Sequence, residues 1–342
     1  MIKVLIVDDS LTIRKKIAEV VAGDPEFAIV GEASDGKVAI SLLKSVSPDL
    51  IIMDLVMPIM DGQEATEKIM ASRPIPILIH SSSANRGEDY KTMDALSAGA
   101  LDFLEKNSEN WEEELVFRIK RAARIKVITH LNKKRRIVKN VDLFLKSPSI
   151  SDEYNLLVIG ASTGGPKVVL DILSRFPSDF PIPVVVVIHM TGSFRNSLCD
   201  WLNNNTSIDV IIPDDGEPFM GKSGIVFMAP PGRHLVVEDG CFRLISSPMV
   251  NFCCPSIDVL FESVAKNREI KAMGVLLTGM GKDGAAGLKA IKDNGGYTIA
   301  QDEATSIVFG MPKEAIDIGG VTRVLPASGI SEEIINRLKV RG

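Results

Sequence analysis

The sequence predicts two α/β domains in one chain, each a parallel sheet covered by helices. Two observations carry this. Short apolar runs alternate with amphipathic stretches of helical period up to about residue 106, and the alternation restarts at Asn155. A parallel sheet with crossover helices requires that pattern. Between the two blocks, from Trp111 to Lys146, acids give way to a Lys/Arg run and then to "SPSISDE". This is the composition of a charged helical connector followed by a flexible linker. The expected boundaries are a first domain over residues 1–125, a connector over 126–152 and a second domain over 153–342, and the chain of 342 residues is long enough for two cores.

In the first domain the strands are "KVLIV", "AIVGEA", "DLIIMD", "PILIHS" and "LDFLEK", with helical stretches such as "SLTIRKKIAEVVAG" and "GKVAISLLKS" between them. The second domain offers "NLLVIGAS", "IPVVVVIHM", "GIVFMAP", "HLVVEDG", "AMGVLLTGM" and "YTIAQDE", with a hairpin-like insertion expected around residues 225–245. The net charge of −5 does not suit coating nucleic acid or an anionic membrane. The basic run of the connector reads as a solvated face, since neither a helix-turn-helix nor interleaved aromatics accompany it. The opening "MIKVLIVDDS" is too short and too acidic for a signal peptide, and no apolar stretch is long enough to span a bilayer. Cys199, Cys241, Cys253 and Cys254 lack C-x-x-C spacing. Reduced thiols in a cytoplasmic protein are therefore expected.

Carboxylates gather at strand ends in the first domain. Asp8 and Asp9 follow the first strand and Asp54 ends the third. Three acids at one rim repel unless a hard cation neutralises them, and oxygen ligands suit Mg²⁺. A carboxylate beside such an ion can attack a phosphoryl group. Ser81 and Lys106 end the next two strands, where a hydroxyl and an ammonium suit phosphoryl oxygens. Any one of these residues alone would read as an ordinary turn residue. Together the set resembles the receiver domain of bacterial response regulators over roughly residues 1–125. The resemblance implies a flavodoxin-like sheet of five parallel strands, Asp54 as phospho-acceptor, Mg²⁺ held by Asp8, Asp9 and Asp54, and Ser81 with Lys106 sensing the phosphate. Asn107 and His80 depart from the usual receiver pattern.

The second domain opens on "NLLVIGASTGGPK". A phosphate-binding P-loop needs Lys where Pro166 stands, and the dinucleotide fingerprint needs Gly where Ser162 stands. The segment Gly160–Gly164 instead fits G-x-S-x-G, a sharp strand-to-helix turn that exposes a serine. A turn with a helix-capping serine competes with that reading. A serine nucleophile needs a base. His189 closes the strand directly following, on the same rim, whereas His234 opens a strand at the opposite end. Asp283, in "LTGMGKDG", can fix the imidazole, or can cap the helix that follows. The order Ser162, His189, Asp283 is not that of the α/β-hydrolases.

The motifs "GASTGGP", "IHM", "APPGRH", "PSIDVLF", "LTGMGKDGAAGL" and "FGMP" resemble the chemotaxis protein-glutamate methylesterases, the CheB family, across essentially the whole chain. The resemblance implies a doubly wound α/β esterase domain with Ser162 as nucleophile, His189 as base and Asp283 as its orienter. Met280 then lies on the oxyanion loop and Thr163 beside the nucleophile. The implied substrate is a γ-glutamyl methyl ester on methyl-accepting chemoreceptors, hydrolysed without a cofactor and activated by phosphorylation from the chemotaxis histidine kinase. Glutamine deamidation would pass through the same acyl-enzyme. Cys254 and Thr191 depart from the family pattern. Two other readings compete: a phosphorylation-switched binding protein without enzymatic activity, and a cysteine enzyme using Cys253 or Cys254. No motif-matched histidine lies near those cysteines in the chain, so packing is the expectation for them.

Overall fold

The computed structural model describes residues 1–82, 86–106, 110–123, 125, 154–190 and 195–338. The connector expected over 126–152, with His130, lies outside the described residues, as do Asn107 and Thr191. The chain divides into two compact units, Met1–Val138 and Lys139–Gly342.

The first unit runs β1 (Ile2–Val7), α1 (Leu11–Ala22), β2 (Phe27–Ala33), α2 (Gly36–Leu42), β3 (Leu50–Met53), α3 (Gly62–Ser72), β4 (Ile77–Ser81), α4 (Arg86–Ala98), β5 (Asp102–Glu105) and α5 (Trp111–Ala122). The five strands pair in parallel in the order β2-β1-β3-β4-β5, as expected. Both faces of the central strands are covered, which is why Val4–Val7 and Leu50–Met53 are near-continuous apolar runs and wholly buried. Short polar side chains start the helices. Ser10 accepts from the Ile13 N–H, Asp35 from Lys37 and Val38, and Asp61 from Glu64. The acid-then-basic stretch that begins at Trp111 does not begin a connector. Its first part is α5, which buries Leu115, Ile119 and Ala122 within this unit.

The second unit contains β6 (Leu156–Ala161), α6 (Gly165–Leu173), β7 (Val184–Ile188), α7 (Arg195–Asn205), β8 (Asp209–Ile211), β9 (Ile225–Met228), β10 (His234–Glu238) and β11 (Cys241–Ile245). It continues with α8 (Ile257–Lys266), β12 (Ala272–Leu276), α9 (Ala285–Asp293), β13 (Tyr297–Gln301), α10 (Met311–Asp317), β14 (Arg323–Leu325) and α11 (Ala327–Leu338). Seven strands form one parallel sheet, β14-β13-β12-β6-β7-β9-β8. The expected insertion is shorter than 225–245. Residues 225–228 are β9 and belong to the sheet, and only β10 and β11 make the separate antiparallel ribbon. Phe242 of the ribbon stacks on Phe219 and meets Phe227 at a tilt, each ring centroid 4.8 Å away, which fastens the ribbon to the core. The sheet order places β6 centrally. The chain leaves it toward β7 on one side and reaches β12 on the other, so the switch point of the doubly wound sheet lies at the carboxyl end of β6.

Candidate active site

Ser162 is the first residue past β6, and two contacts fold the chain sharply there. The Ser162 N–H donates to the Thr278 carbonyl at 3.0 Å, and the Ser162 carbonyl accepts from the Gly165 N–H at 2.7 Å. Glycine is required on both sides. A Cβ on Gly160 would stand 2.4 Å from Ile257 Cγ2, and Gly164 has φ +76° with Ile307 against it. Gly164 is also the N-cap of α6 and no side chain caps that helix. The capping role considered for Ser162 is therefore not what the serine does. It stands beside an uncapped helix N-terminus, whose backbone N–H groups favour negative charge.

Ala161 and Ile188 are register partners, and the His189 N–H donates to the Ala161 carbonyl at 3.0 Å. His189 therefore sits about one strand spacing, roughly 4.8 Å of backbone, from Ser162 on the same rim. Its Nε2 lies 2.8 Å from Asp283 Oδ2. No hydrogen bond joins its ring to the Ser162 hydroxyl among the described residues, a common state before substrate binds. Asp283 does not cap α9, whose N-cap is Gly284.

Asp283 is buried and accepts five hydrogen bonds. Oδ2 takes His189 Nε2 and the Ile257 N–H at 2.6 Å. Oδ1 takes Ser256 Oγ at 2.6 Å, Asn251 Nδ2 at 3.0 Å and, at 3.3 Å, the Asp258 N–H. Burial alone pushes this carboxyl up, but the bonds from His189, Ser256 and Asn251 outweigh it and hold Asp283 below the usual carboxylate range. The two backbone donors belong to the first turn of α8, so the helix dipole adds to the effect. A carboxylate that stays ionised has no proton to give. Nε2 of His189 therefore carries the ring proton, and the Nδ1 lone pair is the acceptor. Neighbouring Asp258 behaves oppositely. Burial first, then repulsion from Asp283 and Glu262, pushes it up to about 6.

The loop after β12 completes the rim. Thr278 receives the amide oxygen of buried Gln301 on its N–H at 2.9 Å, and its hydroxyl donates to the Thr163 carbonyl at 3.0 Å. Gly279 packs against Ser162 so closely that a Cβ there would lie 2.7 Å from Ser162 Cβ. The Met280 N–H donates to no described residue, and the residue is 44 % exposed.

Sequence reasoning missed Asn251, Ser256, Thr278 and Gln301. Ser256 was readable as the N-cap of α8, where it accepts from the Val259 N–H, but not as a partner of Asp283. The sequence puts His234 at the opening of a strand, and so at the opposite end. The structure sets it behind the site instead, because β10 is not in the large sheet. Its buried Nδ1 accepts from the Ser256 N–H at 3.1 Å and so supports the residue that holds Asp283. The cysteine expectation also changes. Cys253 Sγ lies 3.6 Å from His189 Nδ1, across 64 residues of chain.

In the first unit the predicted acids converge. Lys106 Nζ lies 2.8 Å from Asp8 Oδ2 and 2.9 Å from Asp54 Oδ1. Burial pushes Lys106 down, but Asp54 and Asp8 outweigh it and hold the ammonium above its usual range. Burial, opposed by Lys106 and aided by Asp8, pushes Asp54 up to about 6. Asp8, Asp9 and Asp54 offer oxygens within 4.8 Å of one another, and buried Asp8 Oδ2 has the Lys106 ammonium beside it. Such an all-oxygen set with surplus negative charge fits a hard divalent cation. Ser81 is fully buried at the same rim, and its carbonyl accepts from the Lys106 N–H at 3.0 Å. His80 beside it is kept neutral by burial and by Lys106, pushed down to about 3, and packs on Trp111 at 5.6 Å.

Residues 157–334 match the family described as CheB methylesterase, and residues 4–120 the response regulator receiver domain. "Protein-glutamate methylesterase/protein-glutamine glutaminase 2" of Anaeromyxobacter dehalogenans is 41 % identical over 96 % of this chain and 95 % of its own. The corresponding protein 1 of Carboxydothermus hydrogenoformans is 40 % identical over 97 % and 98 %. The crystal structure of the Thermotoga maritima CheB methylesterase catalytic domain covers 54 % of this chain and 98 % of its own, at 38 % identity and a TM-score of 0.51. No helix among the described residues is long and apolar enough to cross a membrane. A strand-end serine, histidine and aspartate on a seven-stranded sheet, matched over nearly the full length, place this chain in the CheB methylesterase family, with a response regulator receiver domain ahead of the esterase.

Proposed function

We propose that the chain hydrolyses γ-glutamyl methyl esters on chemoreceptor helices through Ser162, and that phosphorylation of Asp54 raises this activity. The observation that carries the hydrolysis is the Asp283–His189 pair at 2.8 Å, one strand spacing from the serine of a G-x-S-x-G turn. Nδ1 of His189 takes the Ser162 proton as Oγ attacks the ester carbonyl. Backbone N–H groups at Thr163 and Met280 stabilise the oxyanion, beside the uncapped N-terminus of α6. The imidazolium returns its proton to the departing methanol. Water, activated by the same nitrogen, then hydrolyses the acyl-enzyme. A glutamine side chain would follow the same route and release ammonia. The curated relatives bear both activities in their names, which supports the pair of substrates. The loop from Met249 to Cys253 carries exposed Met249 and Phe252, the latter 96 % exposed, an apolar edge suited to a helical protein substrate.

Asp54 is the proposed phospho-acceptor, with a chemotaxis histidine kinase as donor. Mg²⁺ held by Asp8, Asp9 and Asp54 would neutralise the attacking carboxylate and the phosphoryl oxygens. Lys106 and Ser81 then meet the new charge and carry the switch. The deciding experiment is methanol release from methylated receptor with and without a phosphodonor. Wild type should turn over and respond to the donor, Ser162→Ala should not turn over, and Asp54→Asn should turn over without responding.

A second reading has one observation in its favour. Cys253 Sγ, 3.6 Å from Nδ1, could serve as nucleophile to the same His189–Asp283 pair. It does not stand in a G-x-S-x-G strand-to-helix turn, as Ser162 does. Unimpaired hydrolysis by Cys253→Ala would eliminate it.

A further inference from the structure

The thiol beside His189 has a geometry that the hydrolysis does not use. His189, Cys253 and Asp283 offer potential metal-ligating atoms within 4.8 Å of one another. The donors are soft and borderline, a thiol and an imidazole, unlike the all-oxygen set of the receiver unit. Thiolate and imidazole suit Zn²⁺ and similar thiophilic ions. Zn–S and Zn–N bonds of about 2.3 and 2.0–2.1 Å at a tetrahedral angle separate sulfur from nitrogen by roughly 3.5–3.6 Å. The separation of Cys253 Sγ and His189 Nδ1 is 3.6 Å, the span that one such ion bridges, and the thiol otherwise donates to the Asn251 carbonyl at 3.4 Å.

The surroundings are already arranged for it. The hydrogen bond from Nε2 to Asp283 lies on the ring edge opposite Nδ1. It fixes the tautomer that presents a lone pair at Nδ1, the carboxylate–histidine–metal relationship common in zinc sites. Asp283 is itself held by Ser256 and the Ile257 N–H, each at 2.6 Å. The thiol sits on a closed turn, where Val250 and Cys253 exchange backbone hydrogen bonds of 3.1 and 2.9 Å.

We propose that Cys253 Sγ and His189 Nδ1 form a site for a thiophilic divalent metal ion, and that its occupancy switches hydrolysis off. Binding forms one metal–sulfur and one metal–nitrogen bond, releases to solvent the waters that those ligands and the change from an octahedral aqua ion to tetrahedral geometry expel, and releases the thiol proton to solvent. The remaining positions keep water. No redox change is involved. Binding strengthens as pH rises, because the thiol proton must leave. The blocking action rests on the reading of His189 as the base: the ion takes the lone pair that the Ser162 proton needs. The binding itself does not rest on that reading.

The test uses the full chain, reduced with a thiol-free reductant, in excess Mg²⁺ to occupy the receiver acids. Co²⁺ is titrated as an optical probe and Zn²⁺ as competitor, and methanol release is followed in parallel. One equivalent of Co²⁺ should give a thiolate-to-cobalt charge-transfer band that Zn²⁺ abolishes. The band should be absent from Cys253→Ser and retained by Cys254→Ser. Zn²⁺ should stop hydrolysis by the wild type, with recovery on adding a chelator. Losing the sulfur ligand should weaken inhibition by at least the roughly 10- to 100-fold that loss of an outer partner costs a metal site. An unchanged band in Cys253→Ser, or no band in wild type, overturns the site. A Cys253-dependent band with hydrolysis intact overturns the blocking role and counts against His189 as base, while leaving the metal site standing.

Discussion

Replacing Asp283 by asparagine separates the two things this carboxylate does. Both of its oxygens receive donors that cannot reverse. Oδ2 faces the Ile257 N–H and Oδ1 faces the Asp258 N–H. An amide NH₂ in either place therefore opposes a backbone donor. The less unfavourable orientation puts it at the Oδ1 position, where the Asp258 contact is long at 3.3 Å and the Ser256 hydroxyl can turn to accept. Two buried donors, Asn251 Nδ2 and the Asp258 N–H, then face the amide, and stability should fall by about 1–3 kcal/mol for each one left poorly paired. For a unit of this size that is a drop of roughly 2–4 °C per kcal/mol in its melting transition. In this orientation the amide oxygen still accepts from His189 Nε2, so the tautomer survives. What is lost is the charge that supports the imidazolium, worth about 1.5–3 kcal/mol for a charge-assisted bond, or roughly 10- to 100-fold in rate. The opposite orientation would invert the tautomer, and losses of ~10⁴ are then the precedent. The assay is single-turnover methanol release from methylated receptor, alongside a thermal melt. A rate loss near 10⁴, or no loss at all, would refute this account of how Asp283 works.

Three further outcomes follow from the same contacts. Ser256→Ala removes a 2.6 Å bond to Asp283 and the N-cap of α8, so it should destabilise the esterase unit by about 1–2 kcal/mol in a denaturant melt and lower kcat more than it changes KM. Asp54→Asn should stabilise the receiver unit. A carboxyl raised from 3.8 to about 6 holds its proton more tightly when folded, so its ionised form costs about 2–3 kcal/mol above pH 6. The gain measured in denaturant melts without Mg²⁺ should be full at pH 7.5 and shrink as pH falls through about 6 toward 3.8. The same shift predicts that autophosphorylation by a small phosphodonor at low Mg²⁺ falls away below pH 6, and that saturating Mg²⁺ moves the fall to lower pH, as radiolabel incorporation would show.

The strands were legible wherever burial on both faces demanded a run of apolar residues, as in Leu50–Met53 and Val184–Ile188. They were not legible at the sheet edges. β8 and β14 are three residues each, "DVI" and "RVL", too short and too charged to stand out from loop. The insertion was drawn too long because β9 and β10 are both short apolar runs, and only pairing distinguishes a sheet strand from a ribbon strand. Ser162, His189 and Asp283 could be read because each follows a strand at one rim. The residues that hold Asp283 could not, since Asn251 and Ser256 act through a loop whose path depends on the ribbon and on His234. Cys253 escaped for a related reason. Distance along the chain is not distance in space, and 64 residues of chain close to 3.6 Å.

The central claim is that Ser162 carries the acyl group. Rapid quenching of the full chain with methylated receptor peptide, followed by mass spectrometry of the segment 155–167, tests it most directly. The account predicts a glutamyl ester on Ser162 that forms and decays at the rate of methanol release and is absent from Ser162→Ala. An acyl group on Cys253, or undiminished methanol release by Ser162→Ala, would contradict it.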